Sequence, residues 1–280
     1  MLVMHVSSFA AMCSTRGSPG VPTQVAMSGR LTDIADGDFF SIALRDDGTV
    51  WSWGSNGSAA PPAQVSGATG VVAIAAGTNQ ALALKNNATA LAWIPGGSGA
   101  TVRDPTGTGV LGGVQWVRAV AGASIALALN GNQFTVYVWG NGLAQFGFPA
   151  VNPVAAPALQ PYASVAPSSY AIALGRGTTL GAFLLAIDGA NGNTVKGVGA
   201  NLDGELGIGS TVDATTATTL PGLLDVRQVD ATHVFQATYA VARKGDRTVW
   251  AWGDNGTGQL GDGTTTNQLV PVQVQGLNLN

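Results

Sequence analysis

Charge is scarce in this chain. Asp, Glu, Lys and Arg make up 10% of its 280 residues, against roughly a quarter in ordinary globular domains. Glu205 is the only glutamate and there are three lysines, which excludes a bundle of charged, amphipathic helices. Cys13 is the single cysteine, so neither an intrachain disulfide nor a thiolate zinc site can form. His5 and His233 are the only histidines, a thin supply for metal binding or acid–base work. The net charge of −3 offers no basic field for a phosphate backbone, so nucleic acid is not an expected partner. No apolar run is long enough to predict a transmembrane helix. The segment Met1 to Cys13 is mildly apolar but lacks the Lys or Arg of a signal-peptide start. The low charge nevertheless suits an extracellular or cell-surface setting.

What the chain does have is glycine, 40 residues of it, and a hydrophobic share of 46%. That share with so little charge argues against disorder. Many short strands joined by tight turns are expected instead.

The strands come in repeats. Ile34-Ala-Asp-Gly-Asp-Phe-Phe-Ser-Ile-Ala-Leu44 is echoed by Ile74-Ala-Ala-Gly-Thr-Asn-Gln-Ala-Leu-Ala-Leu84 and Ala119-Val-Ala-Gly-Ala-Ser-Ile-Ala-Leu-Ala-Leu129. A weaker fourth copy is Ser164-Val-Ala-Pro-Ser-Ser-Tyr-Ala-Ile-Ala-Leu174, and a degenerate fifth runs from Val226 to Val241. Each is followed by a second element, most plainly the Trp-bearing Asp47-Gly-Thr-Val-Trp-Ser-Trp-Gly54 and Asp246-Arg-Thr-Val-Trp-Ala-Trp-Gly253, more loosely Val195-Lys-Gly-Val-Gly199. Pro-x-x-Val closes some units, at Pro22–Val25, Pro62–Val65 and Pro271–Val274. Large and small residues alternate along the Leu-Ala-Leu runs, so one face of each sheet is bulky and the other flat. Asp47-Gly48 and Asn130-Gly131 are hairpin signals in which both central residues can take a positive φ. A unit of about four short strands cannot bury both faces alone, but a stack of such units around an axis can. The predicted fold is all-β: a β-propeller of short four-stranded antiparallel blades. Five repeats are recognisable, and any number up to seven blades stays open. Residues 1–25 form an N-terminal segment with a lone closing strand, and 26–280 the propeller.

These motifs resemble the repeat of the regulator of chromosome condensation (RCC1) family, which pairs an Ile-Ala-x-Gly…Leu-Ala-Leu run with Trp-Gly-x-Asn-x-x-Gly-Gln-Leu-Gly and Pro-x-x-Val. Trp252, Gly253, Asn255, Gly258, Gln259, Leu260, Gly261 and Pro271 carry it best. The resemblance implies a β-propeller, commonly of seven blades. The family's histidine position holds Phe40, Gln80, Ile125 and Tyr170 here. No segment matches the wedge that serves nucleotide exchange on a small GTPase, so that activity is not carried over. The short front repeats look like those of a bacterial branch that includes a protein inhibitor of β-lactamase.

No catalytic constellation appears. Gly97-Ser98-Gly99 is a loose loop, not a nucleophile elbow. Asp254 to Asp262 lacks the alternating ligands and terminal Glu of a calcium loop. Neither an enzyme nor a cofactor or metal site is therefore expected. Trp53, Trp93, Trp139 and Trp252 read as blade-core residues at a repeat position. The expected function is a protein-interaction scaffold, with a protein partner or self-assembly. A glycan-binding or glycan-cleaving surface propeller and a structural subunit of an extracellular assembly are the alternatives. In an antiparallel meander the first–second turns and third–fourth loops share one rim, and the latter are far longer than connection requires. Long loops on a rigid scaffold are where binding usually lives. The candidate binding residues on that rim are Asp36, Asp38, Phe39, Asn79, Phe146, Phe148, Asp203 and Glu205.

Overall fold

The computed structural model describes residues 25–54, 61–104, 107–120, 122–130, 133–140, 160–165, 172–176, 181–188, 192–232 and 238–277. They form five four-stranded antiparallel sheets, and none of the described residues is helical. Blade 1 is β1 (Leu31–Asp36), β2 (Ser41–Arg45), β3 (Val50–Trp53) and β4 (Ala63–Gln64). Blade 2 is β5 (Val71–Ala76), β6 (Ala81–Lys85), β7 (Ala90–Trp93) and β8 (Ala100–Thr101). Blade 3 is β9 (Val114–Val120), β10 (Ala123–Asn130), β11 (Gln133–Trp139) and β12 (Gln160–Val165). Blade 4 is β13 (Ile172–Arg176), β14 (Ala182–Asp188), β15 (Thr194–Gly199) and β16 (Ala214–Thr219). Blade 5 is β17 (Val226–Ala231), β18 (Tyr239–Lys244), β19 (Val249–Gly253) and β20 (Gln268–Gln273). In every blade the strands pair in chain order, as a meander.

The two-residue alternation sets how the blades stack. In β2, Ile42 and Leu44 point to the second blade, while Ala43 pairs with Ile34 and Trp51 on the opposite face. The second blade answers with Val71, Ile74, Ala81, Ala83, Leu91 and Trp93. Flat alanines thus receive branched side chains, which lets adjacent sheets come close. The same junction recurs between blades 2 and 3, 3 and 4, and 4 and 5. Among the described residues there are four such cores for five blades, and none joins blade 5 to blade 1. The consequence is visible at Trp53. Trp93, Trp139 and Trp252, at its position in later blades, are 1%, 0% and 0% exposed, whereas Trp53 is only half-buried.

Two sequence expectations need correction. The fourth repeat is framed differently: Ile172-Ala-Leu174 is the first strand of its blade, not the second. Leu185 and Ile187 of β14 take the places of Ile42 and Leu44, and β12 is the last strand of blade 3. The first hairpin also differs. Gly48 has φ 76° but Asp47 is not left-handed. Gly48 N–H donates to Arg45 O (3.0 Å), and Arg45 N–H to Thr49 O (3.0 Å), a longer turn closed by one left-handed residue. Ala88 (φ 56°) and Arg247 (φ 69°) occupy that position in blades 2 and 5. Of the expected strand Pro22–Val25, only Val25 lies among the described residues, and it is outside any strand.

Candidate functional site

The first–second turns and the long third–fourth loops do share a rim. Asp36 pairs with Ser41 and Ser41 with Trp53, so the turn after β1 lies beside the loop leaving β3. Ala200 N–H donates to Ala182 O (3.0 Å) and Asp254 N–H to Thr238 O (2.8 Å), repeating the arrangement in blades 4 and 5. Neighbouring blades are tied along this rim by Asp38 N–H to Thr78 O (3.3 Å). Asp36, Asp38, Phe39 and Asn79 all sit there, exposed, on blades 1 and 2. Asp203 and Glu205 belong to the β15–β16 loop, with blade 3 in between, so the candidates form two separate groups. Phe146, Phe148, Cys13, His5 and His233 lie outside the described residues.

The long loops are built around a buried asparagine. Asn255, 0% exposed, accepts from Leu260 N–H through Oδ1 (3.0 Å). Its Nδ2 is within reach of Thr264 O, Thr266 O and Asp262 Oδ1, each at 3.1 Å. Asn201 repeats this in blade 4: it accepts from Leu206 N–H (2.9 Å) and donates to Ser210 O (2.8 Å) and Val212 O (3.0 Å). Asparagine suits the task because one amide supplies an acceptor and two donors to backbone groups that face no strand. Asp262 is a second hub, accepting from Thr264 N–H (2.9 Å) and Gln268 Nε2 (2.7 Å). The Thr264 N–H, followed by the hydroxyl and amide donors around it, holds its carboxyl below the usual carboxylate range. Sequence reasoning used the Asn-x-x-Gly-(Glu/Gln)-Leu-Gly motif for recognition and missed this role; its occurrence at both 201–207 and 255–261 was the signal.

Blade 4's loop is also fastened to blade 5. Trp252 Nε1 donates to Glu205 O (2.9 Å), Thr238 Oγ1 to Asp203 Oδ2 (2.6 Å) and Gly209 N–H to Leu269 O (2.8 Å). Glu205 itself is 0% exposed. It therefore offers no surface to a ligand, contrary to the expectation that placed it among the binding residues. Burial is the main cause raising its carboxyl to about 7, and Asp203 and Asp213 add to the rise. Beside the exposed polar Thr211 and Asp213, the loop presents two large apolar side chains, Leu202 at 55% and Val212 at 71% exposure, and Phe39 of blade 1 is 56% exposed. Leu202 and Val212 were not singled out from sequence, because an isolated apolar residue in a loop carries no periodic signal.

The opposite rim carries the short hairpins. Asp47, Asn87 and Asp246 each accept from a Thr hydroxyl two residues on, at 2.6, 2.7 and 2.6 Å. Thr49 and Thr248 in turn accept from Trp51 Nε1 and Trp250 Nε1. The Thr248 hydroxyl is the first cause lowering the Asp246 carboxyl to about 2. Asp47 and Asp246 are also paired with Arg45 (3.5 Å) and Lys244 (3.2 Å).

The RCC1 (regulator of chromosome condensation) repeat model matches residues 246–280, and a second model of the same repeat matches 32–59. Among solved structures, human WBSCR16 is 18% identical, with 88% of this chain and 67% of that chain covered and a TM-score of 0.62. Yeast RCC1 (Prp20), solved bound to Kap60, is 18% identical over 88% of this chain and 64% of that one, with a TM-score of 0.64. Prp20p from Saccharomyces cerevisiae, reported with its binding to Gsp1p and histones, gives 19%, 89%, 64% and 0.61. The chain thus spans less than two thirds of the yeast protein in both of its structures and about two thirds of the human one. It carries RCC1-type repeats, and its fold is that of the RCC1 β-propeller.

Proposed function

We propose that this chain is a non-enzymatic scaffold that holds a protein partner on its long-loop rim. The observation that carries the reading is the pairing of exposure with rigidity there. Leu202 and Val212 are more than half exposed, yet their loop is fixed from within by Asn201 and from blade 5 by three hydrogen bonds. Apolar side chains held still in water favour association, because little conformational entropy is left to lose on binding. The hairpin end also exposes apolar groups, Leu224 (59%) and Val72 (55%), but singly, whereas Leu202 and Val212 stand in one loop. Yeast Prp20, on the same fold, was solved bound to Kap60, which makes a protein the natural class of partner. Three of the tryptophans that a sugar platform would need are buried between blades. The short front repeats support placing the chain in a bacterial branch of RCC1-like proteins.

The test is quantitative affinity purification from the source cells with wild type and two double variants. Leu202→Asp with Val212→Asp should lose the specific partner, while Asp46→Ala with Lys244→Ala keeps it. Loss only through the hairpin pair overturns the assignment, as does indifference to both.

A further inference from the structure

Blades 4 and 5 carry the same loop with one chemical exchange. In blade 5, Gln259 Oε1 accepts from Thr257 N–H (2.8 Å) and its Nε2 donates to Asp254 Oδ2 (2.6 Å). In blade 4, Glu205 stands at the position of Gln259 and Ala200 at that of Asp254. Glu205 Oε2 keeps the first bond, accepting from Asp203 N–H (2.8 Å). Its Oε1 is buried with no hydrogen-bond partner. A carboxylate there has lost water on one oxygen and gained nothing, a cost of the kind that buried charges avoid by taking a proton.

The charged groups that act on Glu205 make ionisation harder. Asp203 and Asp213, both of its own loop, raise its carboxyl further. From blade 5 the loop is met by Trp252, Thr238 and Leu269, which carry no charge. Backbone N–H groups of Glu205 and Asp203 pull the other way, but less than burial pushes. The backbone carbonyl of this same residue accepts the Trp252 bond that crosses between blades. A change of charge at Glu205 therefore acts directly on the fastening.

We propose that Glu205 is a proton-operated latch: protonated, it seals the 200–213 loop of blade 4 onto blade 5, and ionised, it loosens that seal. The device acts on the loop that carries Leu202 and Val212, but it stands without any assumption about what the rim binds. The sign follows from the raised carboxyl. Once the loop opens, Glu205 returns to water and ionises near its ordinary value of 4.5, against about 7 when sealed. Opening is thus unaffected below about pH 4.5, grows roughly tenfold per pH unit from there to about 7, and levels off above. The whole change is on the order of 100-fold.

Hydrogen exchange of the full chain, expressed as protection factors at pH 5, 6, 7 and 8, tests this. Protection in 201–213 should fall on the order of 100-fold across the series, while the 255–266 loop, with Gln259, stays constant as an internal reference. Glu205→Gln should flatten the response and leave the loop better protected than wild type at pH 8. Constant wild-type protection of 201–213 overturns the proposal by itself, whether or not the variant folds. A pH response that persists in Glu205→Gln overturns it too.

Discussion

Asn255 is the point at which the rim is most open to perturbation. Asn255→Ala removes the acceptor for Leu260 N–H and the donors to Thr264 O, Thr266 O and Asp262 Oδ1. These groups do not suffer equally. Leu260 is 1% exposed, so its N–H is stranded, at about 1–3 kcal/mol. Thr264 and Thr266 are exposed, and their carbonyls regain water for a few tenths each. The sum is about 2–4 kcal/mol, large for one side chain. Asn255→Asp separates donor from acceptor: the Leu260 bond survives, but a carboxylate now faces two carbonyls and the Asp262 carboxylate in a buried place. An unpaired buried charge costs about 3–5 kcal/mol. Asn255→Asp should therefore be the less stable variant at pH 7, and the gap should close in acid as the new carboxyl protonates. Urea denaturation of wild type and both variants at pH 7 and pH 5, with matching slopes, measures this. If Asn255→Asp equals or exceeds Asn255→Ala at pH 7, the amide is not acting as a donor hub.

Other outcomes follow from the same physics. Arg247→Gly and Ala88→Gly should each stabilise by about 0.5–1 kcal/mol, because their φ values of 69° and 56° suit glycine; Gly48→Ala should destabilise by at least as much. Chemical denaturation reads all three. Trp252→Ala should cost about 3–5 kcal/mol, and half-buried Trp53→Ala less than half of that; equal losses would mean that the front of blade 1 is covered like the others. Far-UV circular dichroism should show a β-sheet spectrum with under about a tenth helix, and substantial helix would contradict the repeat reading.

The face pattern was legible in the sequence because strand alternation is strict: Ile42, Ala43 and Leu44 could be assigned to their faces on sight. The rim was legible for the same reason, since a meander fixes which turns lie together. Blade 4 was misframed because Tyr-Ala-Ile-Ala-Leu174 carries the large–small alternation of a second strand, and local pattern cannot tell which neighbour a strand will pair with. Glu205 was misjudged for a related reason. A carboxylate in a glycine-rich loop reads as solvated, and only its position between Gly204 and Leu206, at the place of Gln259 in the other copy, hinted that it packs inward. Leu202 and Val212 were invisible because exposure depends on what the rest of the loop does, and Asn201 decides that.

Site-specific photo-crosslinking in the source cells tests the central claim most directly. A photoreactive phenylalanine analogue is placed at Phe39, Leu202 or Val212 on one rim, and at Asp46 or Lys244 on the other. The account predicts a common protein adduct from the long-loop positions and none from the hairpin positions. Adducts confined to Asp46 and Lys244, or an absence of adducts at all five, would contradict it.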